Sequence, residues 1–103
     1  MIIYLSGPIS GTTDYFQRFL DAENEVKANG DKPINPVRIM KGLEHLEYED
    51  MLKIDKKFIE LCDGIYMLLG WRDSHGASIE RNYAIAAGKM IQYQHEPKGG
   101  GNE

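Results

Sequence analysis

The 103-residue sequence predicts a single α/β domain in which helices cover both faces of a parallel sheet. Short apolar runs alternate along the chain with longer segments whose apolar residues recur at helical spacing. The segments follow the order β-α-β-α-β-α-β, and strands joined through a helix run parallel. We therefore expect a sheet of about four strands in the order 2-1-3-4, which is a Rossmann-like (flavodoxin-like) arrangement.

Four apolar runs supply the predicted strands. Ile2–Ser6 ends at a glycine and is typical of a buried parallel strand. Lys32–Asn35 is a weaker strand that Pro36 stops. Ile65–Leu69 is the most apolar run and should lie in the centre of the sheet, and Met90–Tyr93 is the fourth strand.

Three helices are predicted between these strands. The first ends at Asn29-Gly30, in the manner of a helix C-cap. The second begins at Tyr48 and ends before Asp63-Gly64, which is interpreted as a turn. The third is alanine-rich and runs from about Ala77 to Ala87. Residues 37–47 are expected to form an irregular connection.

The composition excludes several classes of protein. A formal net charge of −4 leaves no basic face for a nucleic acid polymer, whose binding depends on lysine and arginine contacts with phosphates. No apolar stretch reaches the roughly 18 residues that a membrane span needs, so no membrane partner is expected. Cys62 is the one cysteine, so an internal disulfide is impossible and we expect a cytoplasmic location.

The size of the chain bounds its organisation. Residues 1–94 should form the whole domain, and residues 95–103, which are polar and glycine-rich, should form a flexible tail. A domain of this size buries a limited share of its surface, so a homodimer or higher homo-oligomer is expected.

Two glycine-containing loops are expected to form the binding site. Gly7–Gly11 follows the first strand and Gly70–Gly76 follows the third, so both leave carboxyl ends of strands, where ligands of such sheets bind. Backbone amides in these loops can hold a phosphate without any lysine. The residues expected to contact the ligand are Gly7, Ile9, Ser10, Trp71, Ser74 and Gly76.

Two of these residues have structural alternatives. Trp71 could stack against a base, or it could simply cover the core. Ser74 could contribute to a phosphate site, although a serine in a loop most often forms a turn.

Asp55 is the most informative single position. It falls on the core-facing stripe of the second helix, where a carboxylate is costly unless it is paired, capped or facing a pocket. A structural partner and a functional role are about equally consistent with that position. Glu23 raises the same question on the first helix, but nothing places it near the carboxyl end of a strand.

Glu80 and Tyr4 are the other residues that could carry chemistry. Glu80 is expected in the first turn of its helix, where the helix dipole should keep it ionised, as a carboxylate nucleophile requires. A capping box would be the structural alternative, but Ala77 occupies the position where that motif needs serine or threonine. Tyr4 could fill the core, and its hydroxyl needs a partner if it is buried.

No metal or cofactor is expected. The three histidines, His45, His75 and His95, lack metal-ligand spacing. The sequence also contains neither a Walker A motif nor a G-x-G-x-x-G fingerprint.

Three ordered pieces of sequence resemble one known family. They are Tyr4-Leu5-Ser6-Gly7-Pro8-Ile9-Ser10-Gly11, then Asp55 eight residues before Asp63, then Ser74-His75-Gly76-Ala77-Ser78-Ile79-Glu80. Together they resemble the nucleoside 2-deoxyribosyltransferase-like superfamily over roughly residues 2–93. The most similar branch is that of the 2′-deoxynucleoside 5′-monophosphate N-glycosidases, with small bacterial and phage relatives.

The resemblance implies a function and a role for each residue. It implies hydrolysis of the N-glycosidic bond of a 2′-deoxynucleoside 5′-monophosphate through a glutamyl-deoxyribosyl intermediate. Glu80 would be the nucleophile, Asp55 would assist departure of the base and then activate water, and Tyr4 would orient the nucleophile. Ser74 matches a position where the hydrolases have a serine that holds the 5′-phosphate of the substrate. The transferases have an acidic residue at that position. Ser78 stands where the family has a second glycine, so we expect it to narrow the pocket.

Three alternatives remain open. The protein could exchange bases between deoxynucleosides, as the transferases do, or it could cleave ribonucleotides, as cytokinin-activating phosphoribohydrolases do. It could also be a nucleotide-binding module without turnover. In each case the expected partner is a small-molecule nucleotide or nucleoside.

Overall fold

The structure, a computed structural model, describes residues 1–95. Its strands are β1 (Ile2–Ser6), β2 (Lys32–Ile34), β3 (Gly64–Met67) and β4 (Met90–Tyr93). They form one parallel sheet in the order β2-β1-β3-β4, which confirms the predicted order.

Helices cover both faces of this sheet, as predicted. They are α1 (Tyr15–Ala28), α2 (Pro36–Ile39), α3 (Tyr48–Leu61) and α4 (His75–Ala86), and a 3-10 turn at Trp71–Asp73 precedes α4. None of the helices within residues 1–95 combines the length and apolar character needed to cross a membrane.

Two buried clusters lie on opposite faces of the sheet, because successive residues of a strand point to opposite faces. Ile3 and Leu5 of β1 pack with α1, and Tyr4 packs with α3 and α4. The α1 side contains Ile3, Leu5, Phe19, Ala22, Val26 and Leu68, and the other side contains Tyr4, Ile59, Cys62, Ile65, Met67, Ala77 and Ala84. The strand period thus selects which side chains of β1 face α4.

The connection predicted as irregular over residues 37–47 contains the short helix α2, so that prediction is wrong for its first part. Asn35 caps α2 by accepting a hydrogen bond from the backbone N–H of Val37 at 3.0 Å. Pro36 occupies the first helical position, where its fixed φ favours a helix and its missing N–H costs nothing.

Several other boundaries differ from the sequence prediction. Strand β2 ends at Ile34 instead of Asn35, and β3 ends at Met67 instead of Leu69. Gly64 is not a turn residue but opens β3, where it pairs with Ile3 and Met90. Helix α4 begins at His75 instead of near Ala77, because the Ser74 hydroxyl accepts a hydrogen bond from the Ala77 N–H at 3.2 Å. Of the predicted tail, residues 96–103 lie outside the described residues.

Replacement of Gly64 should weaken the sheet. A Cβ at this position would lie 2.9 Å from the carbonyl oxygen of Met90, so β3 and β4 would have to separate. We expect Gly64→Ala to lower the free energy of unfolding by about 1–3 kcal/mol, measured by urea denaturation.

Gly76→Ala is the matched control. A Cβ there would lie 3.6 Å from the Tyr48 hydroxyl, an ordinary contact, and a helix favours alanine over glycine. An equal loss of stability in both variants would contradict the steric explanation.

Candidate active site

A buried carboxylate, Glu80, is the centre of the site. Its side chain is 8% exposed, and both carboxylate oxygens accept hydrogen bonds from hydroxyl groups of β1. Ser6 Oγ donates to Oε1 at 2.6 Å, and Tyr4 Oη donates to Oε2 at 3.1 Å. Both donors are almost fully buried, at 1% and 0% exposure. Glu80 is therefore held by two fixed groups of the strand beneath it.

The strand period brings these two donors together. Tyr4 and Ser6 are two residues apart in β1, so their side chains point to the same face of the sheet, which is the face covered by α4. Ser6 was not among the site residues identified from the sequence. The two-residue spacing between Tyr4 and Ser6 is the signal in the sequence that could have identified Ser6. Residues at this spacing in a strand lie side by side on one face of the sheet, so Ser6 lies close to the groups that Tyr4 contacts.

Glu80 is not in the first turn of its helix, so the expectation that the helix dipole keeps it ionised is wrong. Since α4 begins at His75, Glu80 lies in the second turn, beyond the short range of the effect. Burial and then the charge of Asp55 raise the pKa of Glu80 to about 8, against the hydrogen bonds from Ser6 and Tyr4, which lower it.

The Asp55 side chain, which comes from α3, interacts with both Glu80 and Tyr4. Burial raises its pKa, while interactions with Glu80 and Tyr4 oppose that shift. Its Oδ1 atom is buried and has no hydrogen-bond partner among residues 1–95. The pKa of the Tyr4 hydroxyl is also raised, by burial and then by the charges of Glu80 and Asp55. Because Glu80 is buried and Asp55 is half-buried beside it, the two carboxylates cannot both ionise cheaply, so the pair retains one proton near neutral pH.

These groups lie at the floor of a cavity of about 860 Å³ at the carboxyl end of β1. Its wall is largely apolar and aromatic, and comes from α1, from α2 and the residues after it, and from α3. The wall residues are Ile9, Tyr15, Phe16, Phe19, Pro36, Val37, Met40, Tyr48, Met51 and Leu52. A cavity of this size is in the range of sites for nucleotide-sized ligands, about 300–1,000 Å³.

The structure brings most of the predicted site residues to this cavity. Those that line it are Tyr4, Gly7, Ile9, Ser10, Asp55, Ser74, Gly76 and Glu80. Gly76 belongs to the first turn of α4 instead of the loop before it. Ser78, which we expected to narrow the pocket, does not line it, and its hydroxyl lies 3.5 Å from the carbonyl oxygen of Trp71.

Trp71 lies apart from the other predicted residues. Its ring packs against the core and stands 5.9 Å from the ring of Tyr93, beside a separate surface cavity of about 360 Å³. The guanidinium groups of Arg72 and Arg81 lie over the Trp71 ring. Of the two interpretations of Trp71, covering the core is the one that matches this position.

Glu23 has a structural partner of its own. Arg38 of α2 donates three hydrogen bonds to the two Glu23 carboxylate oxygens, at 2.8 to 3.2 Å. This guanidinium holds the pKa of Glu23 below its usual value. The pair links α1 to α2, so Glu23 does not belong to the cavity.

The charged groups around the cavity are mainly acidic. Lys41 and His75 line it together with four carboxylates, those of Glu44, Asp55, Asp73 and Glu80. Within residues 1–95, no group of three or more potential metal ligands comes together. The site is thus an apolar cavity with a proton-sharing pair of carboxylates at its floor.

Glu80→Gln should remove a pH dependence of stability. The free glutamate ionises near pH 4.3, as in the unfolded chain, and folded Glu80 near pH 8. Between these values the unfolded state has released a proton that the folded state retains, so this group makes stability fall as pH rises. Compared with Glu80→Gln, the wild type should lose up to about 1.4 kcal/mol more per pH unit, measured by urea denaturation from pH 5 to 8.

Glu23→Gln is the control with the opposite sign. The pKa of Glu23 is lowered by Arg38, so its contribution to stability is present above the unfolded pKa and its loss should destabilise the protein at neutral pH. Parallel pH profiles for the wild type and Glu80→Gln would contradict a raised pKa at Glu80.

Solved structures with the same fold include two enzymes. The 2-desoxiribosyltransferase from Leishmania mexicana has a TM-score of 0.68 and 21% identity over 89% of this chain and 62% of its own. The CMP N-glycosidase BcmB from Clostridium botulinum has a TM-score of 0.64 and 21% identity over 98% of this chain and 74% of its own. The chain therefore spans about three fifths of the length of the Leishmania enzyme.

These similarities show that the chain shares the fold of the two enzymes, which is the fold that the predicted resemblance implies. A comparison with curated protein sequences finds no match. A family model described as a domain of unknown function (DUF4406) matches residues 1–93, and the chain therefore belongs to this family.

Proposed function

We propose that this protein hydrolyses the N-glycosidic bond of a 2′-deoxynucleoside 5′-monophosphate through a covalent glutamyl-deoxyribosyl intermediate. The observation that carries the proposal is the pair of carboxylates, buried Glu80 and half-buried Asp55, which line a cavity of nucleotide size. Two carboxyl groups with one proton between them are what retaining glycosidic cleavage requires, since one group attacks and the other donates a proton.

The names of the two enzymes with this fold support the same bond as the target. One is a desoxiribosyltransferase and the other is a CMP N-glycosidase, so both names concern the bond between a base and a sugar. Because fold similarity alone is a weak argument for function, the proposal depends on the site.

In the first step, a Glu80 carboxylate oxygen attacks the anomeric carbon of the sugar. The bond from that carbon to the base breaks, and the proton of Asp55 passes to the departing base. The products are the free base and a sugar ester of Glu80. Tyr4, which donates a hydrogen bond to Glu80 Oε2, orients the nucleophile for this attack.

In the second step, the ionised Asp55 takes a proton from water as the water oxygen attacks the same carbon. The ester bond to Glu80 breaks, which releases the sugar phosphate and restores Glu80 as a carboxylate. Asp55 regains its proton, so the pair returns to its starting state.

The remaining predicted residues are assigned to the ends of the substrate. The amides around Ser74 and Gly76, at the start of α4, would receive the phosphate, because a helix N-terminus favours an anion. The Ser74 hydroxyl oxygen accepts a hydrogen bond from the Ala77 N–H, which leaves the hydroxyl proton free to be donated to the phosphate. Gly7, Ile9 and Ser10 would contact the sugar. Stacking of the base would fall to the aromatic wall of the cavity, because Trp71 lies outside it.

A free nucleoside is the second candidate substrate, and one observation favours it. Asp73 precedes Ser74 and also lines the cavity, where a carboxylate would receive a sugar hydroxyl and repel a phosphate. With a free nucleoside, a second base could replace water in the second step, and the protein would exchange bases. An assay of base release separates base exchange from hydrolysis. It also detects cleavage of ribonucleotides and binding of a substrate without turnover.

The proposal predicts release of free base that depends on both carboxylates. The test incubates the purified protein with each deoxy- and ribonucleoside 5′-monophosphate and with the free nucleosides, and measures the base by chromatography. Glu80→Gln should reduce release to background, because no carboxylate remains to attack. Asp55→Asn should reduce it at least about 100-fold, because the proton donor is lost.

Glu60→Gln and Asp21→Asn are matched controls, since both residues lie outside the cavity and should leave release unchanged. Transfer of the sugar to an added second base would favour exchange over hydrolysis. Binding of every substrate without release of base from any would contradict catalysis.

The nature of the group at the 5′ position gives a separate prediction. Ser74→Asp would add a second carboxylate beside Asp73, so the ratio of kcat/KM for a monophosphate to that for its nucleoside should fall by about tenfold or more. Asp73→Asn should raise the same ratio, since it removes a carboxylate from the cavity. If neither substitution changes the ratio, Ser74 does not lie at the 5′ end of the substrate.

A further inference from the structure

Ser6 is the polar residue at the floor of the site to which the proposed steps give no part. Its side chain is 1% exposed, and its hydroxyl makes the shortest hydrogen bond to Glu80, at 2.6 Å. Its backbone is fixed as well, because Leu68 N–H donates to the Ser6 carbonyl oxygen at 2.8 Å. The backbone that carries the hydroxyl is therefore held by the sheet.

The hydrogen-bond donors are distributed unequally between the two carboxylates. Glu80 accepts from two hydroxyls, whereas Asp55 Oδ1 has no partner among residues 1–95. Hydrogen bonds donated to a carboxylate favour its ionised form, and a buried oxygen without a donor favours the protonated form. The two hydroxyls therefore favour ionised Glu80, the form that attacks in the proposed reaction, against burial and the charge of Asp55, which favour protonated Glu80.

We propose that Ser6 is a positioning residue that orients the Glu80 carboxylate and favours its ionised form, the form that attacks the sugar. This inference rests on the proposed N-glycosidic cleavage, in which Ser6 acts through Glu80. Tyr4 donates through a longer hydrogen bond, of 3.1 Å, so Ser6 supplies the stronger part of this stabilisation.

Several other titratable groups face Glu80 or its cavity and must be held constant in a test. Tyr4 from β1 and Asp55 from α3 act on Glu80 directly. The remaining titratable groups that line the cavity are those of Tyr15, Lys41, Glu44, Tyr48, Asp73 and His75. A comparison in which only the Ser6 hydroxyl changes isolates its effect.

The experiment measures the pKa of Glu80 by carbon NMR of the labelled carboxyl group. Asp55→Asn provides the reference, because Glu80 then titrates without a coupled partner. Adding Ser6→Ala to this variant should raise the pKa of Glu80 by about one to two pH units, since a hydrogen bond to a charged group is lost. Adding Ser78→Ala instead of Ser6→Ala is the control. Ser78 lies in α4, the helix of Glu80, but outside the cavity, so its loss should leave the pKa of Glu80 unchanged.

Turnover provides the second measurement, with Asp55 present. Ser6→Ala should lower kcat by about 10- to 100-fold with little change in KM, because the hydroxyl acts on Glu80 and not on the substrate. If Ser6→Ala does not fold, Ser6→Cys retains the volume with a weaker donor and should give a smaller rise in the pKa of Glu80.

Folded variants in which the pKa of Glu80 does not rise would overturn the inference and leave a purely structural role for Ser6. The titration needs no substrate, so it separates this inference from the proposed function. Wild-type protein that releases no base, together with a raised pKa in Ser6→Ala, would contradict the reaction and support the effect of Ser6 on Glu80. Wild-type protein that releases base, together with an unchanged pKa of Glu80 in Ser6→Ala, would support the reaction and contradict the effect of Ser6 on Glu80.

Discussion

The burial of the Glu80 carboxylate against two hydroxyl groups of β1 is the constraint on which the rest of the site depends. Glu80 is taken out of water by the packing of α4 against the sheet, and its two partners come from β1. Removing a carboxylate from water is costly unless donors replace the lost water molecules. Tyr4 and Ser6 supply those donors, and the register of β1 fixes their distance from α4. The position of Glu80 is therefore set by β1, which lies in the centre of the domain between β2 and β3.

The second carboxylate changes what this arrangement can do. A lone buried glutamate with two donors would be a structural feature, but Asp55 adds a neighbouring charge and raises the pKa of Glu80 further. The two carboxylates then titrate as one unit and share a proton, and in the proposed reaction this unit supplies both the acid and the nucleophile. Such a pair reduces stability as pH rises, which is a cost commonly found at functional sites. The ion pair of Glu23 with Arg38 is different, because there the opposite charge lowers the pKa of the carboxylate.

The cavity combines an apolar wall with an acidic margin, and this combination bears on the substrate. Its aromatic residues come from α1 and α3, whereas Trp71 is held by Tyr93 and Arg81 on another part of the surface. Stacking of a base would thus involve side chains that sequence reasoning did not single out. The carboxylate of Asp73, next to Ser74, opposes a phosphate that the start of α4 would attract. For the proposed reaction, the balance between these two effects would decide whether a nucleotide or a nucleoside is the better substrate.

The sequence by itself determined the parallel α/β fold, the strand order, and the loops at the carboxyl ends, because each depends on local hydrophobic period and on glycine positions. It also singled out Asp55, since a carboxylate on an apolar stripe is a local anomaly. Only the tertiary structure decided that Ser6 contacts Glu80, that Glu23 pairs with Arg38, and that Trp71 stands apart. Those contacts join residues far apart in the chain. Even the start of α4 depended on a single side-chain cap, Ser74, and moving it by about half a turn placed Glu80 beyond the helix dipole.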